Sequence, residues 1–222
     1  MTQRVNQTGF TLVEMLFALA FMAFLLIFAT TTVIQIMQTY NKGLAVKEIN
    51  QTARSTTEDM TRIIKASNPS AIVTSPLTNS PSTSKARVCF GSISYVWNFT
   101  NATLNKYTDG TRINFARVND PGSSLCTLTA GNYPNVDKTQ ATELLSSNVW
   151  VQQLTVTPTV NNTFYDVFIQ LSTVDDPTSP ALTYSWANPI PEQRVVCQGG
   201  NIGQYCAVAN FSTSANARGG TN

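Results

Sequence analysis

The chain of 222 residues contains no histidine. That removes the usual Ser-His and Cys-His nucleophile pairs, and with them the common nitrogen ligand for zinc. Its four cysteines, Cys89, Cys126, Cys197 and Cys206, include no Cys-x-x-Cys pair, so a zinc finger or ribbon has no sequence support. Charge is sparse: 12% of residues are charged and the formal net charge is +2. Such a balance predicts no strong general attraction to nucleic acid or anionic lipid. No glycine pattern falls at a strand-to-helix junction, which leaves nucleotide binding unsupported. Asp175-Asp176, a paired carboxylate beside Pro177, reads as a solvated turn. No catalytic residue, cofactor or metal is expected. Proline is also missing before Pro69, so nothing in that first stretch forbids a continuous helix.

What the chain does have is a long apolar run near its start. The 27 residues from Met15 to Asn41 carry no charged side chain. A helix of that length covers about 40 Å, and a bilayer's hydrocarbon core needs only about 30 Å. A short polar leader with a single Arg4 precedes it, and one carboxylate, Glu14, stands at its beginning. A cleaved secretory signal fits poorly, because the run is too long and no Ala-x-Ala-like site follows it. An ordinary anchor fits the length but leaves Glu14 unexplained, at a cost of roughly 2.5–3.5 kcal/mol at mid-membrane depth.

The run Gly9-Phe10-Thr11-Leu12-Val13-Glu14, with its short basic leader and the apolar span behind it, closely resembles the processing site of type IV prepilins and pseudopilins. The resemblance implies that a membrane prepilin peptidase cuts after Gly9 and N-methylates Phe10. It makes Glu14 the fifth residue of the mature chain, where the family places its assembly glutamate. A carboxylate there lies one turn from the new amine and near the positive end of the helix dipole. Paired with a neighbouring subunit's N-terminal amine, it would select the axial register of assembly, because an unpartnered buried charge is strongly disfavoured. The implied partners are other pilin subunits, the peptidase, an inner-membrane assembly platform with its ATPase, and membrane lipid before assembly. Basic flanks do not fix the topology, since Arg4 is balanced by Lys42 and Lys47. The family places the N-terminus in the cytoplasm.

Beyond the span the pattern turns amphipathic. Val46, Ile49, Ala53, Thr56, Met60 and Ile63 recur at intervals of three and four, which predicts a helix with one apolar stripe. Glu58 and Arg62 stand four apart in the favourable order. Gly43 is a candidate bend. The helix should stop between Lys65 and Asn68, because Pro69 disfavours helical geometry before it.

From there the texture is β. An edge strand is expected within 71–74, then strands at 86–90, 93–99, 103–107, 112–118 and 124–129, with Asp109-Gly110 as the hairpin between the third and fourth of these five. A short helical turn is expected at 139–145, long strands at 149–157 and 164–173, and a further strand at 183–186. These read as one antiparallel meander with one face on the amphipathic helix. Residues 210–222 read as a disordered tail.

The fold class is therefore α+β and pilin-like: one long N-terminal helix, half transmembrane and half amphipathic, packed on an antiparallel β domain. Expected boundaries are a leader at 1–9, the membrane and assembly helix at 10–41, its amphipathic continuation at 42–68, the β domain at 69–210 and the tail at 211–222. An even number of cysteines in an exported domain favours disulfides over metal, with three pairings open. Many pilins close a C-terminal loop with a disulfide, and the resemblance implies the same for Cys197 with Cys206, around Gly199, Gly200 and Gly203. Cys89 is then left to Cys126.

Lys85, Arg87, Lys106, Arg112 and Arg117 fall on neighbouring strands and could offer DNA a basic patch. On a near-neutral domain such a scatter is more often plain solvation, so DNA is the lesser expectation. The functional expectation is a minor pilin or pseudopilin of a type IV pilus-like filament. Against it stands a single-span anchored ectodomain that binds a surface ligand without polymerising.

Overall fold

A computed structural model describes residues 11–74, 86–98, 105–127, 134–159, 163–174, 181–184, 195–198 and 206–218. The chain divides into two compact units, Met1–Asn41 and Lys42–Asn222. Helix α1, Leu12–Ala66, contributes to both.

In the first unit α1 buries nothing. Leu12, Phe17, Phe21, Phe24, Phe28 and Ile36 are all more than 60% exposed, and Gln38 is the one half-buried residue between Leu12 and Asn41. The threonine hydroxyls in this run are met internally. Thr30 donates to the Leu26 carbonyl, Thr31 and Thr32 to that of Phe28, and Thr39 to that of Gln35, at 2.7–3.0 Å. A threonine that bonds back one turn asks nothing of its surroundings, so the surface stays apolar despite four such residues. The helix is long and apolar enough to cross a membrane.

In the second unit α1 runs without a break through Gly43 and ends at Ala66, before Pro69. Its buried stripe is Ile49, Ala53, Thr56, Thr57, Met60 and Ile64. The predicted stripe is thus displaced at both ends: Val46 is exposed with Ala45 half-buried instead, and Ile64 takes the place given to Ile63. Arg62 does not pair with Glu58. It bonds Asp59 at 2.7 Å, while Glu58 takes Arg54 at 3.0 Å.

Among the described residues ten strands follow, all paired antiparallel, in three sheets rather than one meander. β1 (Ile72–Thr74), β2 (Ala86–Phe90), β3 (Ile93–Trp97), β4 (Phe115–Asn119) and β5 (Ala141–Glu143) form a five-stranded sheet in that order. The β2–β3 turn uses Gly91 at φ +71°, a conformation that a residue with a Cβ resists. β6 (Trp150–Pro158) and β7 (Phe164–Ser172) pair along their length, and β10 (Val208–Asn216) lies on the far side of β7. β8 (Leu182–Tyr184) and β9 (Val195–Cys197) make a two-stranded ribbon.

Four expectations are corrected. Residues 211–222 are not all tail: β10 runs to Asn216, and Ala215 and Ala217 are buried. Residues 124–129 hold no strand in their described part; Ser124–Cys126 is a single 3₁₀ turn closed by bonds to Asp120. The described part of 103–107 makes only isolated bridges: Lys106 to Arg112 across the turn at Asp109-Gly110, where Gly110 has φ +84°, and Tyr107 to Val136. Residues 112–118 instead supply β4, which pairs with β3. The helical turn expected at 139–145 is 3₁₀ at Lys138–Gln140 and then becomes β5.

One core joins the helix stripe to both larger sheets. Ile49, Ala53, Met60 and Ile64 meet Val88, Tyr95, Trp97 and Phe115 of the first sheet, with Leu154, Val167, Ile169 and Leu171 of the second. The opposite face of the five-stranded sheet is also covered. Cys89, Val96, Ala116 and Val118 pack there against Tyr107, Ile113, Leu125 and Val136. β2 is therefore buried on both faces, which explains its continuous burial from Ala86 to Phe90.

Candidate functional site

Gly9 and Phe10, the expected cleavage and methylation positions, lie outside the described residues. Glu14 is described, and it sits at the start of α1 in a capping box with Thr11. The Thr11 amide and hydroxyl both donate to Glu14 Oε2 at 2.9 Å, and the Glu14 amide donates to Thr11 Oγ1 at 3.3 Å. Orphan donors of the first turn are met reciprocally by this arrangement. Glu14 thus starts the helix as well as standing where the resemblance puts an assembly carboxylate. The Thr-x-x-Glu spacing was legible in the sequence.

Both expected disulfides form. Cys89 joins Cys126 with Cα atoms 6.2 Å apart, and Cys197 joins Cys206 at 5.7 Å. No free cysteine remains, so none of the four is available to a metal. Among the described residues no group of three or more Cys, Asp or Glu is placed to hold a metal ion.

The Cys89–Cys126 bond belongs to a larger fastening. Arg87, two residues before Cys89 on β2, is only 2% exposed. Its Nε and Nη2 donate to Asn105 Oδ1 at 3.1 and 2.8 Å, Nη1 to the Leu125 carbonyl at 2.9 Å and Nη2 to the Pro134 carbonyl at 2.9 Å. Asp120, 4% exposed, takes the Leu125 amide at 3.0 Å, the Ser94 hydroxyl at 2.7 Å and both the amide and hydroxyl of Ser124. The Leu125 residue is thus held by opposite charges, Arg87 on its carbonyl and Asp120 on its amide. Next to it, Cys126 is bonded covalently to β2.

The five basic residues weighed as a lesser DNA-binding reading are not all at the surface. Arg87 is interior, Arg117 pairs with Asp59 at 3.4 Å, and Arg112 lies 4.5 Å over the Trp150 ring. Lys106 is exposed, and Lys85 lies outside the described residues, as does Asp175-Asp176. Burial, stacking and pairing engage three of the five, Arg87, Arg112 and Arg117.

Asp59 is the residue that sequence reasoning passed over. It is 16% exposed on the docked half of α1 and gathers three groups. The Tyr95 hydroxyl of β3 donates to Oδ2 at 2.8 Å, Arg62 reaches Oδ1 at 2.7 Å and Arg117 of β4 reaches it at 3.4 Å. Burial first, and the Asp59 carboxylate second, push the Tyr95 phenol well above its ordinary value. Asp59 stands one residue short of Met60 in the stripe. That edge position was the available signal.

No family model, curated protein or solved structure matches the chain.

Proposed function

We propose that this chain is a structural subunit, a minor pilin or pseudopilin, of a type IV pilus-like filament, cut after Gly9 and assembled through α1. The observation that carries the reading is the helix from Leu12 to Asn41. It is apolar, its threonines bond back to its own backbone and it contributes no residue to a core, yet it opens on a carboxylate four residues past a Gly-Phe junction. A surface of that kind needs lipid or other helices around it. In the membrane it serves as the anchor; in a filament the same face packs on the helices of other subunits. The Lys42–Asn222 unit would be the part displayed, with its disulfides suited to an oxidising compartment.

A second reading is favoured by one detail. Glu14 already has its partners in Thr11, so it needs no neighbour's amine to be tolerated. That suits a single-span ectodomain that never polymerises. One variant separates the two. Glu14→Ala should leave cleavage after Gly9 intact and reduce recovery of the subunit in sheared filaments on the order of tenfold, as loss of one well-placed charge pair would. Normal recovery of the variant removes the register role. If wild-type protein is never found in sheared filaments, the second reading stands.

A further inference from the structure

The uncharged run ends at Asn41, and Lys42 is the first charged residue after it. Its 27 residues cover about 40 Å as a helix, close to the thickness of a bilayer counted with its headgroups. A span with Glu14 in one headgroup layer therefore has Lys42 in the other. Tyr40, 65% exposed, stands just before it, where an aromatic ring with a polar tip suits the interface.

Lys42 also lines a cleft of about 330 Å³ within the Lys42–Asn222 unit. Val46, one turn further along α1, shares its wall, and the other wall is built from β9 and the start of β10. That second wall is held in place twice. The Cys197–Cys206 bond joins β9 to the chain entering β10, and Gln170 of β7 donates to the Val195 carbonyl at 3.2 Å. Alternation along β9 then buries Val195 and leaves Val196 52% exposed. Val46, which its spacing assigned to the core stripe, is 39% exposed on the opposite wall. Among the described residues Lys42 has no ion-pair partner, and no carboxylate lines the cleft.

We propose that this cleft binds the headgroup of an anionic phospholipid in the leaflet where α1 leaves the bilayer. The inference rests on the reading of α1 as a membrane span. Lys42 meets the phosphate, while Val46, Val196 and Val208 lie against the glycerol and the first acyl methylenes. A lipid is the occupant because Lys42 is covalently next to the span, which holds it at headgroup depth. The lipid is anionic because a choline or ethanolamine headgroup brings a cation for which the cleft has no carboxylate.

The test uses the full chain with both disulfides in phosphatidylcholine nanodiscs, into which phosphatidylglycerol is titrated while NMR follows single amides. A lipid with a nitroxide at the end of one acyl chain reports on the span separately. Signals of Lys42, Val196 and Val208 should move to saturation while that of Ser94, in the interior, stays still. Lys42→Gln should weaken the response on the order of fivefold, as loss of one cation at a membrane surface predicts. Val196→Asp sets a carboxylate in the cleft and should weaken the response at least as much. Both residues are exposed, and unchanged Val195 and Ala207 signals certify the fold of each variant. If Phe24 and Phe28 escape the nitroxide, the membrane reading fails and takes the proposal with it. If they are broadened while Val196 and Val208 ignore phosphatidylglycerol, or respond equally in both variants, the proposal alone fails. Inorganic phosphate that moved the same signals equally would also overturn it.

Discussion

At the scale of single residues, Asp59 ties the docked half of α1 to β3 and β4 of the five-stranded sheet. Asp59→Ala would strand the buried Tyr95 hydroxyl and unpair Arg117. The expected loss is about 1–3 kcal/mol, read as a lower urea midpoint with an unchanged slope. Tyr95 also sets an alkaline limit. Its folded phenol is raised by burial and by Asp59, and Tyr107 is raised by burial and Glu143. A raised acid favours the neutral form in the fold. The contribution is therefore whole below the ordinary phenol value of about 10 and is lost as pH climbs from there toward the folded value. Titration through the phenolate absorbance band should show at least two of the seven tyrosines silent until the protein unfolds. If all seven ionise together near pH ~10 in the folded state, the buried geometry is wrong. Arg87 shows why residue identity alone misled. Its charge suggested the surface, but the run Ala-Arg-Val-Cys-Phe is buried on both faces, and Asn105 with two carbonyls supplies what water would have.

At the scale of elements, the two disulfides close loops of unequal size. The sequence separations are 37 for Cys89–Cys126 and 9 for Cys197–Cys206, which the chain-entropy argument converts to about 4 and about 2.5 kcal/mol. Replacing both cysteines of the first pair by alanine should lower the melting temperature more than the same change in the second. The reverse order would show that strain or residual structure outweighs loop closure. α1 was legible because its signals agree: no proline before Pro69, an uncharged run, then spacings of three and four. β2, β6 and β7 were legible from β-branched and aromatic runs bounded by turn residues. β10 was not. Its alternation is carried by Ala209, Phe211 and Ala215 against Asn210, Ser212 and Ser214, and residues so small and polar resemble a tail until β7 pairs with them. The turn at Ser124–Cys126 was hidden for another reason. Besides the nearby Asp120 it is fixed by Arg87 and by a cysteine 37 residues away, and neither of those two falls within a local pattern.

At the scale of the whole molecule, one sequence carries a membrane-length helix, packed on none of the described residues, and a disulfide-braced α+β unit with a core of its own. That combination is economical if α1 is retained and used twice, first in lipid and then among other subunits. It is harder to explain for a discarded signal, since the docked half of the same helix supplies Ile49, Ala53, Met60 and Ile64 to the core. Cleavage at Gly9 with retention of everything after it is thus the claim on which the filament reading turns. Intact mass and N-terminal sequencing of the protein taken from its native cell address it directly. The account expects a chain that begins with N-methylated Phe10 and carries both disulfides; a chain that still begins at Met1, or one trimmed beyond Ala29, would contradict it.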